Sequence, residues 1–346
     1  MRVKNCIFLR YIALAGFSLA FQSIKAQDDK SFLLKLDGLW KFSINDSLKW
    51  AKPNYDDSSW EKIKVPSAWE DQGFYGYDGY AWYRTSFSLT KDMNNKDLYL
   101  NLGYINDVDQ VYLNGKLIGF SGTFPPQFST AFEARRKYPI PDEYLIPKGK
   151  NVIAVRVYNH QMAGGILSGD IGISSNNIKP DFSILGLWQF KTGDNKLWKE
   201  TDFKDKLWKK IVVPGNWENQ GYVDYDGYAW YRRHFRLPEE LLNQKLILIL
   251  GKIYNVEEVY MNGTLIGSGG KMPTSNEKPA EDGETDNKKC HSYTIPENLI
   301  LSKKDNVITI RVYNSEHRGG IVDGPVGFVK VINFNKYFKE MAEIEN

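Results

Sequence analysis

Residues 65–84 read VPSAWEDQGFYGYDGYAWYR, and residues 213–232 read VPGNWENQGYVDYDGYAWYR. The two stretches are identical at fourteen of twenty positions and lie 148 residues apart. Such similarity at a fixed spacing indicates an internal duplication. All ten tryptophans of the chain obey the same spacing: Trp40 and Trp188, Trp50 and Trp198, Trp60 and Trp208, Trp69 and Trp217, Trp82 and Trp230.

The duplication extends in both directions from this motif. LGYINDVDQVYLNGKLIG (102–119) matches LGKIYNVEEVYMNGTLIG (250–267), and NVIAVRVYN (151–159) matches NVITIRVYN (306–314) at a spacing of 155, so the second copy holds a seven-residue insertion. We predict one copy at 34–175 and another at 182–332, with a hinge at 174–181. Residues 333–346 form a C-terminal tail, either a short helix or a frayed end.

Each copy has the pattern of a strand-rich domain. Short runs of β-branched and aromatic residues, bounded by Gly, Pro, Asn and Asp, predict β-strands. Asn114-Gly115 and Asn262-Gly263 lie between apolar flanks and predict tight hairpins, because both turn residues tolerate positive φ. The sequence therefore predicts two tandem β-sandwiches, each long enough for its own core.

The composition excludes several function classes. The formal charge of +3 depends on the first 26 residues; without them, 41 basic residues face 42 acidic ones. That balance argues against a nucleic-acid or anionic-membrane partner, because such partners need a concentrated positive surface. The chain has two cysteines, and Cys6 lies in the N-terminal leader, which excludes a disulfide framework and a Cys-built zinc site.

The first 26 residues resemble a secretory signal. A basic start with Arg2, Lys4 and Arg10 precedes the apolar run YIALAGFSLAF (11–21). The alternative, a membrane anchor, needs about 20 apolar residues. We expect cleavage near Ala26, and a secreted or periplasmic mature protein with no membrane insertion.

The ordered motifs resemble a known family. The order G-x-W-x-F, VPxxWE, DGxxWYR, VYxNGxxIG, NVIAVRVYN and GGI is similar to the sugar-binding jelly-roll domain of family 2 glycoside hydrolases, and closest to the variant inserted in sialate O-acetylesterases. The resemblance implies an all-β chain of two tandem jelly-roll (galactose-binding-like) β-sandwiches. It also implies that the sandwiches accompany a carbohydrate-active catalytic domain.

We expect no catalytic domain in this chain. The two copies occupy 293 residues, which leaves too little for a glycosidase barrel of about 250 residues. An acetylesterase would need a Gly-Asp-Ser nucleophile block and an Asp-x-x-His pair, and the sequence holds neither. Hydrolase chemistry is therefore not carried over from the family.

The duplicated aromatic loop is the candidate carbohydrate-binding site. An aromatic ring beside a carboxylate suits a sugar, whose apolar C–H face stacks while its hydroxyls accept and donate hydrogen bonds. The alternative places the tryptophans in the core. The candidates in the two copies are Trp69, Tyr77, Asp78, Tyr80 and Trp82, and Trp217, Tyr225, Asp226, Tyr228 and Trp230.

Two further features allow two interpretations each. The acidic residues Asp107 and Asp109, mirrored by Glu257, offer oxygen ligands for calcium or form a solvated strand edge; no other cofactor is expected. Arg136, beside Arg135, is either a bidentate clamp for a sugar carboxylate or part of a surface basic pair, and Cys290-His291 stand at the matching positions.

Two arginines lie inside apolar strand-like runs. We expect Arg156 and Arg311 to pair with carboxylates, because an unpaired buried charge is costly. Gly164-Gly165 and Gly319-Gly320 are interpreted as structural turns near the end of the sandwich.

Three hypotheses for function follow. The first is a secreted, non-catalytic carbohydrate-binding protein that is accessory to glycan breakdown, with a glycan or glycoconjugate as its partner. The second is a hydrolase subunit, β-galactosidase-like or related to sialate O-acetylesterases, whose catalytic part is degenerate or supplied by another chain. The third is a scaffold that docks a partner carbohydrate-active enzyme.

Overall fold

The computed structural model describes residues 32–176, 179–254, 256–273, 290–315 and 318–345. The expected leader at residues 1–26 lies outside these ranges. Within the described part of the first half, ten strands form: β1 Leu34–Lys35, β2 Gly38–Ile44, β3 Glu61–Val65, β4 Gly79–Ser88, β5 Leu98–Asn106, β6 Val108–Leu113, β7 Lys116–Ser121, β8 Arg135–Ile140, β9 Lys150–Asn159 and β10 Gly165–Ser175.

The second half is built in the same way. Its described strands are β11 Phe182–Ser183, β12 Gly186–Thr192, β13 Lys209–Val213, β14 Gly227–Phe235, β15 Leu246–Ile253, β16 Val256–Met261, β17 Thr264–Gly269, β18 His291–Ile295, β19 Asn306–Asn314, β20 Ile321–Asp323 and β21 Gly327–Lys330. Short 3-10 helices connect several of them.

Each half contains two antiparallel sheets. In the first half a six-stranded sheet in the order β3-β2-β4-β9-β6-β7 faces a four-stranded sheet, β1-β10-β5-β8. In the second half a six-stranded sheet in the order β13-β12-β14-β19-β16-β17 faces a sheet in the order β11-β21-β15-β18, with β20 also paired to β15. The predicted all-β fold is confirmed.

Both predicted hairpin turns are present. Asn114 and Gly115 have φ of 50° and 80°, and they join β6 to β7 with Leu113 opposite Lys116. Asn262 and Gly263, with φ of 49° and 84°, join β16 to β17 in the same way. Both residues of each turn adopt positive φ, which is the conformation that the Asn-Gly pair favours.

The main cores lie between the paired sheets. In the first half, Trp40, Phe42 and Tyr83 pack with aliphatic residues of β5, β9 and β10. The outer face of each six-stranded sheet also carries a smaller aromatic cluster, in which Trp50 packs against Trp82 and, in the second half, Trp198 packs against Trp230. Alternate residues of a strand point to opposite faces, so both faces of β4 and β14 are buried by aromatic side chains.

The two halves make direct contacts. Gly122 in the first half donates its backbone N–H to the carbonyl of Asn219 at 2.8 Å. Tyr99 of β5 packs into the core cluster of the second half. Residues 32–346 form one compact unit as a result.

The C-terminal tail forms a helix, α1 Val331–Glu345, which begins two residues before the predicted tail. Phe334 and Tyr337 pack against Ile247, Ile249 and Val329 on the outer face of the smaller sheet. In the described ranges, no helix has both the length and the apolar character that crossing a membrane requires.

Gly164 is needed because of its small size. A Cβ atom at this position would lie 2.2 Å from Cζ2 of Trp69, and at Gly319 it would lie 2.3 Å from Cε3 of Trp217. We expect Gly164→Ala to lower the free energy of unfolding by about 1–3 kcal/mol, the usual cost of overpacking.

Urea unfolding of Gly164→Ala and Gly319→Ala measures this cost. Leu39→Ala serves as the control: its side chain is 69% exposed, so the change should stay within about 0.5 kcal/mol. Equal stability of wild type and Gly164→Ala would contradict the close packing.

Candidate functional site

The four tryptophans of the predicted site are buried. Trp69, Trp82, Trp217 and Trp230 are each 0% exposed. Trp69 donates its indole N–H to the carbonyl of Tyr77 at 3.1 Å inside the sandwich. The prediction that they contact a sugar is wrong, because a ligand cannot stack on a ring that is sealed on both faces.

Tyr77 and Tyr225 use their hydroxyls within the loop itself. The Tyr77 hydroxyl donates to the carbonyl of Tyr80 at 2.7 Å and accepts the N–H of Asn45 at 3.3 Å. The Tyr225 hydroxyl donates to the carbonyl of Tyr228 at 2.6 Å. These two side chains hold the loop against the sheet, and so they position their neighbours.

Asp78 and Asp226 lie at the surface. Asp78 accepts a hydrogen bond from the side chain of Asn159, at 3.1 Å, at the end of β9. The carboxylate is therefore fixed beside the same edge of the sheet as Tyr80.

An exposed aromatic surface begins at Tyr80. In β4 and β9, Tyr80 lies opposite Tyr158, with ring centroids 4.8 Å apart. Phe124, from the loop after β7, stacks on Tyr80 with a centroid distance of 5.8 Å and an interplanar angle of 4°. Phe128 packs on the edge of Tyr158 at 5.7 Å. We call Tyr80, Phe124, Phe128, Arg156 and Tyr158 the aromatic–arginine patch; all five are half-buried.

Arg156 holds this patch together. Its guanidinium carbon lies 4.7 Å from the ring centre of Tyr80 and 4.4 Å from that of Phe124. Asp46 accepts from its Nε at 2.8 Å and from its Nη2 at 2.5 Å. The expected pairing of Arg156 with a carboxylate is confirmed, and the same holds for Arg311, which pairs with Asp194 at 2.7 Å.

The second half repeats the patch in a different form. Arg311 lies 4.3 Å from the ring centre of Tyr228. The Tyr228 hydroxyl, however, donates to the carbonyl of Pro273 at 2.7 Å. Glu258 bonds to Arg311 where the first half has Gln110 beside Arg156. In the second half the tyrosine hydroxyl is therefore already bound by the backbone at Pro273, and the patch carries one additional acid.

The pairing of Asp46 predicts a pH dependence of stability. Burial alone would raise the pKa of Asp46, but hydrogen bonds from Arg156 and Trp82 outweigh burial and lower it. A carboxyl group with a lowered pKa in the folded state stabilises the fold above its unfolded pKa, and this contribution disappears as the pH falls. We expect the free energy of unfolding to decrease between about pH 5 and about pH 2.

Urea unfolding of wild type and Asp46→Asn across this pH range measures the effect. The variant should show a shallower decrease than wild type. Two curves that run parallel at all pH values would contradict the role of Asp46.

Arg136 is fully buried, so neither of its predicted roles is correct. Its Nε donates to Asp109 at 2.8 Å, and its Nη2 donates to the carbonyl of Asp107 at 3.0 Å. Tyr138 donates to the other oxygen of Asp109 at 2.6 Å. Arg136 is occupied inside the sandwich and cannot clamp a sugar. Its neighbour Arg135 does lie at the surface, 3.5 Å from Asp170.

The second half preserves this buried network with different residues. Glu257 takes the place of Asp109, and it bonds to His291 and Tyr293. The longer acid fits because Gly269 stands where the first half has Ser121; a Cβ at Gly269 would lie 2.5 Å from an oxygen of Glu257. Arg136 and His291 therefore differ in residue type but have the same structural role, because each binds the buried carboxylate of its own half.

The acidic stretch considered for calcium points its carboxylates at protein donors. Asp107 accepts from the Thr130 hydroxyl at 2.6 Å and from the N–H of His160 at 2.8 Å. Asp109 bonds to Arg136 and Tyr138. Among the described residues, no group of three or more His, Cys, Asp or Glu side chains is arranged to hold a metal ion. Asn255 of the mirrored stretch lies outside the described ranges.

Comparisons with known proteins find a match to part of the first half. Residues 45–163 match the beta-galactosidase second all-beta domain. Among curated relatives, a "Putative beta-glucuronidase" of Formosa agariphila is 36% identical over 132 residues, which are 35% of this chain and 12% of the relative. Beta-galactosidase BoGH2A of Bacteroides ovatus is 25% identical over 166 residues, 44% of this chain and 17% of the relative. The chain thus spans less than a fifth of the length of these relatives.

Solved structures include one of a beta-glucuronidase of Bacteroides uniformis, at 16% identity and a TM-score of 0.36, covering 85% of this chain and 27% of that chain. Residues 45–163 are thus similar to an all-β domain of beta-galactosidases. The closer likeness to sialate O-acetylesterases stays a prediction.

Only weak sequence signals pointed to the patch residues that were not predicted. Arg156 and Tyr158 alternate along β9, so they share one face of the strand. Phe124 and Phe128 flank a Pro-Pro-Gln turn that has no counterpart of equal length in the second copy. The pairing of β4 with β9 brings Arg156 and Tyr158 next to Tyr80. Phe124 and Phe128 reach this group from the loop after β7.

Proposed function

We propose that this chain is an exported, non-catalytic carbohydrate-binding protein whose first half binds a glycan at the aromatic–arginine patch. The observation that carries the proposal is the half-exposed stack of Tyr80 on Phe124, with Asp78 fixed beside it. An aromatic platform buries the apolar face of a sugar ring, and neighbouring polar groups orient its hydroxyls.

The patch is a preorganised surface. Asp46 and Gln110 fix Arg156, and Arg156 in turn packs against both aromatic rings. A rigid platform loses little conformational entropy when a ligand binds. The family match of residues 45–163 supports a role beside glycan-degrading enzymes, with a glycan as the partner.

A second candidate function has its own observation. The curated relatives are named as whole hydrolases, a beta-glucuronidase and a beta-galactosidase, and this chain spans 12% and 17% of their lengths. A hydrolase subunit that works with a catalytic part on another chain would have the same relatives. Turnover of chromogenic β-galactosides, β-glucuronides or acetyl esters by the purified chain would favour this candidate.

Calorimetric titration with β-galacto- and β-glucurono-oligosaccharides tests the first candidate. Tyr80→Ala should weaken binding by about tenfold or more, since a stacked ring contributes about 1–2 kcal/mol. The matched control is Tyr228→Ala, because the equivalent tyrosine of the second half already donates its hydroxyl to the carbonyl of Pro273. Unchanged affinity in Tyr80→Ala and Phe124→Ala, with both variants folded, would contradict the proposed surface.

A further inference from the structure

A basic pocket of about 420 Å³ opens on the second half, away from the aromatic–arginine patch. It lies between the start of β12, the middle of β14 and the loop at 201–206. Its volume falls in the range of small-molecule sites in proteins. The basic side chains that line it are Lys204, Lys206, Lys210, Arg232, Arg233 and His234.

Two of the three acids that line the pocket are already engaged. Asp205 accepts from Arg232 and from His234, each at 2.7 Å, and Asp305 accepts from Arg236 at 2.9 Å. The third acid, Asp202, is exposed at the rim.

The lining still has more basic than acidic side chains, since five Lys and Arg residues stand against three Asp residues. Arg233 also lies 3.7 Å from Glu143, so the surplus of positive charge comes mainly from the three lysines. Burial and repulsion from Arg233 lower the pKa of Lys210. An incoming anion would offset this surplus.

Three buried polar atoms in the wall lack partners. Two are donors, Nη2 of Arg232 and Nε of Arg233, and the third is an acceptor, Oε1 of Gln189. Unpaired buried polar groups are rare in folded proteins, and they mark places where a ligand or an ordered water belongs. The two guanidinium donors suit an anion, whereas the Gln189 oxygen suits a sugar hydroxyl or a water.

The first half does not have these charges. At the spacing of 148 residues, Asp56, Ser58, Thr85 and Ser86 stand where the second half has Lys204, Lys206, Arg233 and His234. Lys41 stands at the position of Gln189, and its amine donates to the carbonyl of Ser58 at 3.0 Å. Since the first half folds with the same strand order, the sandwich itself does not require the four basic residues.

We propose that this pocket binds the anionic group of a charged sugar, a uronic acid carboxylate or a sulfate ester. Guanidinium groups bind both oxyanions through paired hydrogen bonds, and lysines add point charge. Leu187 and Phe203 supply an apolar wall for the ring. This proposal rests on the proposed function only in taking the ligand to be a sugar. The binding of its anionic group depends on the pocket alone.

Calorimetry of the full chain with galacturonate, galactose 6-sulfate and neutral galactose tests it. We expect the anionic sugars to bind at least about tenfold more tightly than galactose, with affinity falling as salt rises. Two double variants carry the residues of the first half: Lys204→Asp/Lys206→Ser and Arg233→Thr/His234→Ser. Each should remove the preference for the anionic sugars over galactose. The first pair is exposed, so its effect does not depend on refolding of the core.

The outcomes separate this proposal from the proposed function. If Tyr80→Ala still binds the anionic sugars, the pocket acts independently of the patch. Binding of galacturonate alone or of galactose 6-sulfate alone identifies which oxyanion it takes. Two results would contradict anion binding at the pocket: no preference for either anionic sugar over galactose, or a preference that survives both double variants. Neither result would contradict glycan binding at the aromatic–arginine patch.

Discussion

Asp109→Asn is expected to destabilise the first half by about 3–5 kcal/mol, the cost of leaving a buried charge without its partner. Asp109 and Arg136 are both 0% exposed and 2.8 Å apart. An amide of the same shape keeps the packing but leaves the guanidinium uncompensated. Equilibrium unfolding in urea, followed by tryptophan fluorescence, measures the loss.

The neighbouring arginine provides a matched control. Arg135 pairs with Asp170 at 3.5 Å, and both side chains are exposed. Asp170→Asn should therefore change stability by no more than about 1 kcal/mol. Replacing both members of the buried pair, Asp109→Leu with Arg136→Met, should recover part of the loss. Equal effects of Asp109→Asn and Asp170→Asn would contradict the buried network.

Trp69→Ala is expected to lower the free energy of unfolding by about 3–5 kcal/mol, because it removes a large side chain from a closed core. Trp69 packs against Phe42 with ring centroids 5.9 Å apart and donates a hydrogen bond to the carbonyl of Tyr77. Trp217→Ala should behave in the same way in the second half. Urea unfolding monitored by circular dichroism measures both.

The same variant distinguishes a core role from a ligand-binding role. Tyr75 belongs to the same loop and is 83% exposed, so Tyr75→Ala should alter stability by less than about 0.5 kcal/mol. A Trp69→Ala protein that unfolds like wild type but loses glycan binding would restore the interpretation of Trp69 as a sugar platform.

Much of the fold was predictable because local sequence patterns, the turn residues and the apolar runs, determine it. The Asn-Gly turns at 114–115 and 262–263 require positive φ, and the flanking strands follow from their apolar residues. The match between 65–84 and 213–232 predicted equivalent strands, and β4 and β14 do pair in the same way with β9 and β19.

The candidate site was less predictable, because composition does not tell which face of a strand is covered. Trp82 points outward from the sheet, yet Trp50 and Tyr112 pack against it and bury it. Arg136 follows Arg135 in sequence, but alternation in β8 sends one to solvent and the other to the core. Phe124 reaches Tyr80 only through tertiary contact, which no local pattern records.

A crystal structure of the chain with a bound β-galacto- or β-glucurono-oligosaccharide tests the central claim most directly. We expect one sugar ring to pack against the Tyr80–Phe124 stack, with its hydroxyls near Asp78 and Arg156. A bare patch with the oligosaccharide bound elsewhere would contradict it.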